Sequence, residues 1–224
     1  MNHYAQYAKN IYSDNGEDGI LEQLFSDLEI TDGIVVEFGA WDGLRSSNTC
    51  VLWKEKGYSA LLAESIESRF NEMKNNVSSY ENVETICCSV SSEKESKWCL
   101  DNIISRSKLD FTSDTFAAVS IDIDSYDYYI FESMERYLPK VVIVETSSGY
   151  KPSESFFTRD AGCSLKSVTE LGEKKGYKLV SHTGNAIFVR NDLVDKLPDA
   201  DYSIENVYSS PPVIEARLKE MKNN

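Results

Sequence analysis

Hydrophobic residues along this chain keep two rhythms. Short apolar runs read as buried strands at Ile34–Phe38, Ser59–Ala63, Val83–Val90, Phe116–Ile123 and Val141–Val144. Between them, apolar residues recur at helical spacing. Ile20, Leu21, Leu24, Phe25 and Leu28 mark one amphipathic helix. Its start, Asp14-Asn15-Gly16-Glu17-Asp18, reads as a side-chain cap followed by acids in the first turn. Further helices are predicted at Thr49–Lys56, Glu67–Asn75, Tyr128–Tyr137 and Ser164–Lys175, with Gly57, Pro139 and Gly176 as stops. The charged segment 91–113 predicts partial helix. Strands alternating with helices predict a mostly parallel, doubly wound sheet.

The end of the pattern differs. Tyr177–Ser181 and Ala186–Val189 are joined only by His182-Thr183-Gly184-Asn185, a connection short enough to force an antiparallel hairpin. A dinucleotide-binding sheet stays parallel at this point. The expected fold is therefore α/β, the Rossmann-like class I methyltransferase version. It has a mostly parallel seven-stranded sheet, a C-terminal antiparallel hairpin and helices on both faces. Residues 1–12 are expected to form an arm lying on the domain, and 210–224 a surface helix after Pro211-Pro212. No repeat, low-complexity tract or linker interrupts the pattern, so 1–224 is expected to be a single domain.

Composition narrows the chemistry. A formal charge of −14 opposes nucleic-acid binding, which needs a positive field, and disfavours a polyanionic substrate. The N-terminus lacks a basic and apolar leader, and no run approaches the roughly 18 apolar residues of a membrane span. A soluble, intracellular, cytoplasmic protein is expected. The 5 cysteines contain no CxxC pair and should be reduced and mostly buried. With 2 histidines, a His/Cys zinc site is not expected. A Ser-His-Asp triad would have to use His182 without a GxSxG turn.

The strongest chemical signal is Val35-Val36-Glu37-Phe38-Gly39-Ala40-Trp41-Asp42-Gly43, a strand ending in an acid and then a glycine turn. The next strand ends in Glu64. This arrangement suits an adenosine-containing cofactor. Gly39, Ala40 and Gly43 would let backbone approach it, and Glu64 would accept from both ribose hydroxyls. Glu37 would orient the turn or hold a cofactor ammonium. Ser89, closing the third strand, could bond the adenine edge. Asn48 and Thr49 could contact a cofactor carboxylate at a helix N-terminus, or could simply cap that helix.

Asp122 and Asp124 lie two apart at the carboxyl end of the fourth strand and share a face if the strand stays regular. Asp127 follows, and Glu145 ends the adjacent strand. Such a cluster needs a proton or a cation to be tolerable. Asp122, Asp124 and Glu145 could hold a hard divalent ion, Mg²⁺ or Mn²⁺. Alternatively one aspartate is a general base and the other a helix cap. Tyr126, His182 and Asn185 are candidate substrate contacts.

Four segments in order carry a family resemblance. They are Tyr12-Ser13-Asp14-Asn15-Gly16-Glu17-Asp18-Gly19, Val36 through Gly43, Ser120-Ile121-Asp122-Ile123-Asp124, and Gly176-Tyr177-Lys178-Leu179-Val180 through Asn185-Ala186-Ile187-Phe188-Val189-Arg190. Together they resemble the FkbM-type S-adenosylmethionine-dependent O-methyltransferases over roughly residues 10–195. The resemblance implies S-adenosylmethionine as cofactor, a saccharide or glycan hydroxyl as acceptor, and Asp122 or Asp124 as catalytic residue. Many methyltransferases carry glycine where this chain has Trp41, so that ring must turn away from the cofactor. Two alternatives remain at this level: a non-catalytic binding module in a glycan-assembly complex, and an NAD-type oxidoreductase, against which the absent GxGxxG counts.

Overall fold

A computed structural model describes residues 2–210, 214–216 and 219. Seven strands form one sheet: β1 (Ile34–Phe38), β2 (Ser59–Glu64), β3 (Val83–Cys87), β4 (Phe116–Ile121), β5 (Val141–Glu145), and a later pair, β8 (Tyr177–His182) and β9 (Asn185–Arg190). Their order is β3-β2-β1-β4-β5-β9-β8. The first five pair in parallel, while β9 runs antiparallel to both β5 and β8. This is the mostly parallel sheet with a terminal reversed hairpin that the sequence predicts. The loop between β8 and β9 is only Thr183-Gly184.

The unbroken apolar runs have a direct cause, since β1 and β4 are buried on both faces along their whole length. Alternate residues feed two cores. Val36, Leu61, Val119 and Val142 face one layer, formed with α3 (Leu100–Ile104), α4 (Asp127–Ser133) and α5 (Leu165–Lys174). Val35, Leu62, Ala118 and Ile143 face the other, packed by α1 (Glu17–Asp27), a short π-helix (Val51–Glu55) and Met73 of α2 (Glu67–Asn76). Glycine-bounded turns then bring every parallel strand end to one edge of the sheet.

Several boundaries differ from expectation. β3 stops at Cys87 and β4 at Ile121, both short of the apolar runs. α4 ends at Ser133 rather than Tyr137, because Asp101 accepts the backbone N–H groups of Glu135, Arg136 and Tyr137 at 3.0, 3.0 and 3.4 Å and draws the chain out of the helix. The β5–α5 connection contains an unanticipated hairpin, β6 (Phe157–Thr158) with β7 (Gly162–Cys163). At the N-terminus, a 3-10 turn (His3–Tyr7) buries Tyr4 completely, and Asn2 donates to Ser181 Oγ and Val207 O. The arm is thus part of the core. A final short helix, α6 (Ile204–Val207), lies against β8. Of the helix expected over 210–224, Ser210 is not helical, residues 214–216 and 219 are, and the rest lies outside the described residues. Among the described residues no helix is long and apolar enough to cross a membrane. All 5 cysteines are free, and of these Cys87 is the exposed one.

Candidate functional site

The carboxyl ends of β1 to β4 open into a cleft of about 640 Å³, the size of a small-molecule site. A second groove of about 590 Å³ runs beside α5 and β8, at the opposite edge of the sheet from β2, and contains none of the strand-end acids.

Glu64 is 3% exposed and borders the cleft. Its Oε2 accepts the Trp41 N–H at 3.0 Å and its Oε1 the Ile66 N–H at 2.7 Å. Those two bonds fix the carboxylate and leave lone pairs toward the cleft. The side chains of Trp41 and Ile66 are 44% and 45% exposed and line the same space. Trp41 adopts a left-handed backbone (φ 48°), which swings its ring to the cleft mouth beneath the Arg69 guanidinium, 4.1 Å from the ring centroid.

The glycine turn works differently from the reading that backbone approaches a ligand there. Gly39, at φ 81°, borders the cleft, but a Cβ on it would stand 1.9 Å from the Asp122 carbonyl oxygen. Glycine is required because the β1 turn presses on the β4 backbone. Gly43 faces Met73 and Val77 of the α2 region, and Ala40 is buried with its N–H on Ala63 O. Neither borders the cleft.

Glu37 is 2% exposed at the end of β1. Its Oε2 accepts from Ser47 Oγ and Thr49 Oγ1, each at 2.6 Å, and its Oε1 from the Asn48 N–H at 2.8 Å. Glu37 thereby pins the loop before the π-helix, and burial pushes its carboxyl above the usual range against those donors. Asn48 and Thr49, expected to meet a cofactor carboxylate, are buried partners of Glu37 instead. Ser89 is exposed and lines the cleft beside Cys88 and Val90.

The acids at the ends of β4 and β5 form a tight group. Asp122 accepts from Asn48 Nδ2 at 3.3 Å. Burial first, then the charges of Glu145, Asp127, Glu37 and Glu17, pushes Asp122 up to about 8. Burial and Glu145 raise Asp127 to about 7, even though the Ile123 N–H bonds it at 2.8 Å. Glu145 is raised by burial and then by Asp124. Both carboxyls are thus biased toward their protonated forms. The expected alternation fails at Asp124, because β4 has ended and Asp124 takes a left-handed backbone (φ 69°) with its N–H on Glu145 Oε2 at 3.1 Å. Asp124 is exposed at the cleft mouth beside Tyr126, which is 36% exposed. Among the described residues no three His, Cys, Asp or Glu side chains are grouped as metal ligands, so the Asp122, Asp124, Glu145 triad expected for Mg²⁺ or Mn²⁺ is not assembled.

Two other expectations fall inside the protein. His182 is fully buried at the end of β8. Its Nδ1 accepts the Ser209 N–H at 3.0 Å, which places the proton on Nε2, 2.9 Å from Thr146 Oγ1. That hydroxyl in turn bonds Gly184 O at 2.7 Å. His182 fastens the segment around Ser209 to the hairpin, away from the cleft. Asn185 is 4% exposed and donates to Glu17 Oε1 at 3.2 Å.

Glu17 and Asp18 are not surface first-turn acids. The α1 cap is Gly16 (φ 97°) without a side-chain bond, and both acids are fully buried. Asp18 Oδ2 gathers the N–H groups of Ile11, Tyr12 and Ser13, each at 2.7 Å. Gly19 is needed where the Tyr7 carbonyl passes, 2.0 Å from where a Cβ would stand. Sequence reasoning missed Ser120 and Ile66. A polar residue closing an otherwise apolar strand was the available signal for Ser120.

No family model matches the chain, and no curated protein matches it. Solved structures with a similar fold include an S-adenosylmethionine-dependent methyltransferase from Aquifex aeolicus (13% identity, 75% of this chain, 86% of that one, TM-score 0.44). Another is the N-terminal domain of EvdMO1 with S-adenosylhomocysteine and D-fucose (13% identity, 81% and 84%, TM-score 0.48). A third is a TehB-like S-adenosylmethionine-dependent methyltransferase from Corynebacterium glutamicum (12% identity, 81% and 89%, TM-score 0.44). At such identities these likenesses concern the fold alone.

Proposed function

We propose that the chain is an S-adenosylmethionine-dependent O-methyltransferase acting on a saccharide hydroxyl. The observation that supports this best is one cleft with two acidic stations. Glu64 stands at the end of β2, aimed and held by two backbone donors. Glu37, Asp122, Asp127 and Glu145 crowd the ends of β1, β4 and β5, and the other three raise the affinity of Asp122 for a proton. Arg45 and Arg69 line the cleft, but Arg45 is paired outward with Asp42 and Arg69 sits on Trp41. Such a site favours a cationic ligand that also carries a diol.

S-Adenosylmethionine fits both stations, and when bound it supplies a methyl group on a positively charged sulfur. Glu64 would accept the ribose hydroxyls. Trp41 and Ile66 would flank the adenosine, and Ser89 would meet the adenine edge. A bound cation would favour the ionised form of Asp122, and the ionised carboxyl would take the acceptor hydroxyl's proton as the methyl group passed from sulfur to oxygen. Positioning acceptor oxygen, carbon and sulfur in line carries most of the rate enhancement. Tyr126 and Asp124 at the mouth offer a ring face and an acceptor group, which suit a sugar.

Calorimetric titration with S-adenosylhomocysteine tests the reading. One-to-one, micromolar binding supports it. Absence of binding at millimolar ligand sinks the enzyme and leaves a binding module.

A further inference from the structure

Glu17 is a fully buried carboxylate that the proposed reaction leaves without a task. Three donors converge on it. The Thr183 hydroxyl and Asn185 Nδ2 meet Oε1 at 2.6 and 3.2 Å, and the Asn15 N–H meets Oε2 at 2.9 Å. Burial raises the Glu17 carboxyl above its usual value, while these donors favour its ionised form; ionised, it can only accept, so Asn185 turns its amide nitrogen toward Glu17. The second N–H of that nitrogen reaches Asn48 Oδ1 at 3.5 Å, the longest link. Asn48 must therefore present its own nitrogen on the far side. There its two N–H groups meet Ser120 Oγ at 3.1 Å and Asp122 Oδ2 at 3.3 Å. One hydrogen-bond polarity runs from α1, through β9 and the loop before the π-helix, to the end of β4.

We infer that Glu17 is a positioning residue for Asp122. Acting through Asn185 and Asn48, it keeps an N–H on Asp122 Oδ2 and leaves the other oxygen, Oδ1, as the one that takes and releases a proton. The groups facing Asp122 from the remaining elements are all acids: Glu37 on β1, Asp127 on α4 and Glu145 on β5. Among the described residues, Asn48 is the side-chain donor to the Asp122 carboxyl. Without a fixed polarity the Asn48 amide could flip its oxygen toward Asp122, and the proton would then settle on Oδ2. The catalytic meaning of this relay rests on the function proposed above, but the relay itself does not.

The test is an NMR titration of the ligand-free, ¹⁵N-labelled full chain, following the Asn48 side-chain amide. In the wild-type protein that signal should shift with pH as Asp122 titrates, and the shift should vanish in Asp122→Asn. In Glu17→Gln the shift should fall to less than about half, and the amide protons should exchange with water about tenfold faster or more. Asn185→Ser cuts the relay at its middle and leaves Glu17 its other donors, so it should behave alike and stands in if Glu17→Gln does not fold. Thr183→Val strips a donor from the same Glu17 oxygen and an acceptor from the Asn185 backbone N–H, but keeps the Asn185 side chain, and should leave the Asn48 signal as in wild type. An unchanged Asn48 signal in both relay variants, or an equal loss in Thr183→Val, overturns the inference. Failure of the methyltransferase reading would appear in the S-adenosylhomocysteine titration and leave these amide signals untouched.

Discussion

The buried acids make this protein lose stability as pH rises through neutrality. The Asp122 carboxyl moves from an ordinary 3.8 to about 8 on folding, chiefly by burial and then by its acidic neighbours. Between those values the folded state holds a proton that the unfolded state has released. The sign follows directly: a raised acid contributes stability fully below the unfolded value and loses it as pH climbs through the folded one. The slope is about 1.4 kcal/mol per pH unit for one group, and over the whole window the loss is on the order of 5 kcal/mol. That is comparable with the entire stability of many domains. Asp127, raised to about 7, adds a second slope that ends about one unit earlier. The perturbation is Asp122→Asn, which removes one titration and keeps the shape. Urea unfolding of both proteins, at steps from about pH 5.5 to about pH 7.5, should show the variant gaining on wild type by about 1.4 kcal/mol per unit. The lowered carboxyls of Glu29, Glu135, Asp192 and Asp201 titrate alike in both proteins and cancel. Parallel curves would refute the reasoning, because Asp122 would then be ionised in the folded state throughout.

Asp122→Asn should also abolish methyl transfer from radiolabelled S-adenosylmethionine while S-adenosylhomocysteine binds as before; retained turnover removes Asp122 from the reaction. Glu64→Gln should weaken S-adenosylhomocysteine binding by calorimetry about tenfold to hundredfold, because bonds to a charged acceptor contribute roughly 1.5–3 kcal/mol. An unchanged Kd would place the diol elsewhere. Gly39→Ala should cost about 3 kcal/mol or more, since a left-handed alanine must also push away the Asp122 carbonyl. A thermal midpoint within about 2 °C of wild type would contradict that. Asp101→Ala leaves three backbone N–H groups seeking partners and should cost about 2–3 kcal/mol in urea unfolding; no change in midpoint would mean water replaces the carboxylate freely.

The sheet was legible because its physics is local. β1, β4 and β5 need apolar residues on both faces, and Gly184 in a two-residue loop reverses β8 into β9. Glu37, Glu64 and Asp122 were legible as strand-end acids for the same reason. What escaped depends on distant partners. The early end of α4 is set by Asp101, 34 residues upstream of Glu135. Glu17 is the first-turn acid that the sequence shows, but its burial was not legible because its partners Thr183 and Asn185 lie 166 and 168 residues away. His182 read as a substrate contact because Ser209, which bonds it, belongs to a later segment. The Asp122–Asp124 pairing assumed a strand that ends at Ile121. Two-residue strands such as β6 and β7 have no periodicity to read.

The bond between Asn185 and Glu17 joins the last strand of the sheet to the first helix of the chain. During synthesis α1 emerges early, yet of the donors to its buried acid only the Asn15 N–H is local. A nascent chain halted before Asn185 would carry β1 to β5 without the link from Glu17 to Asn48. The side-chain connection from α1 to the β4 edge is therefore completed in the closing moments of folding.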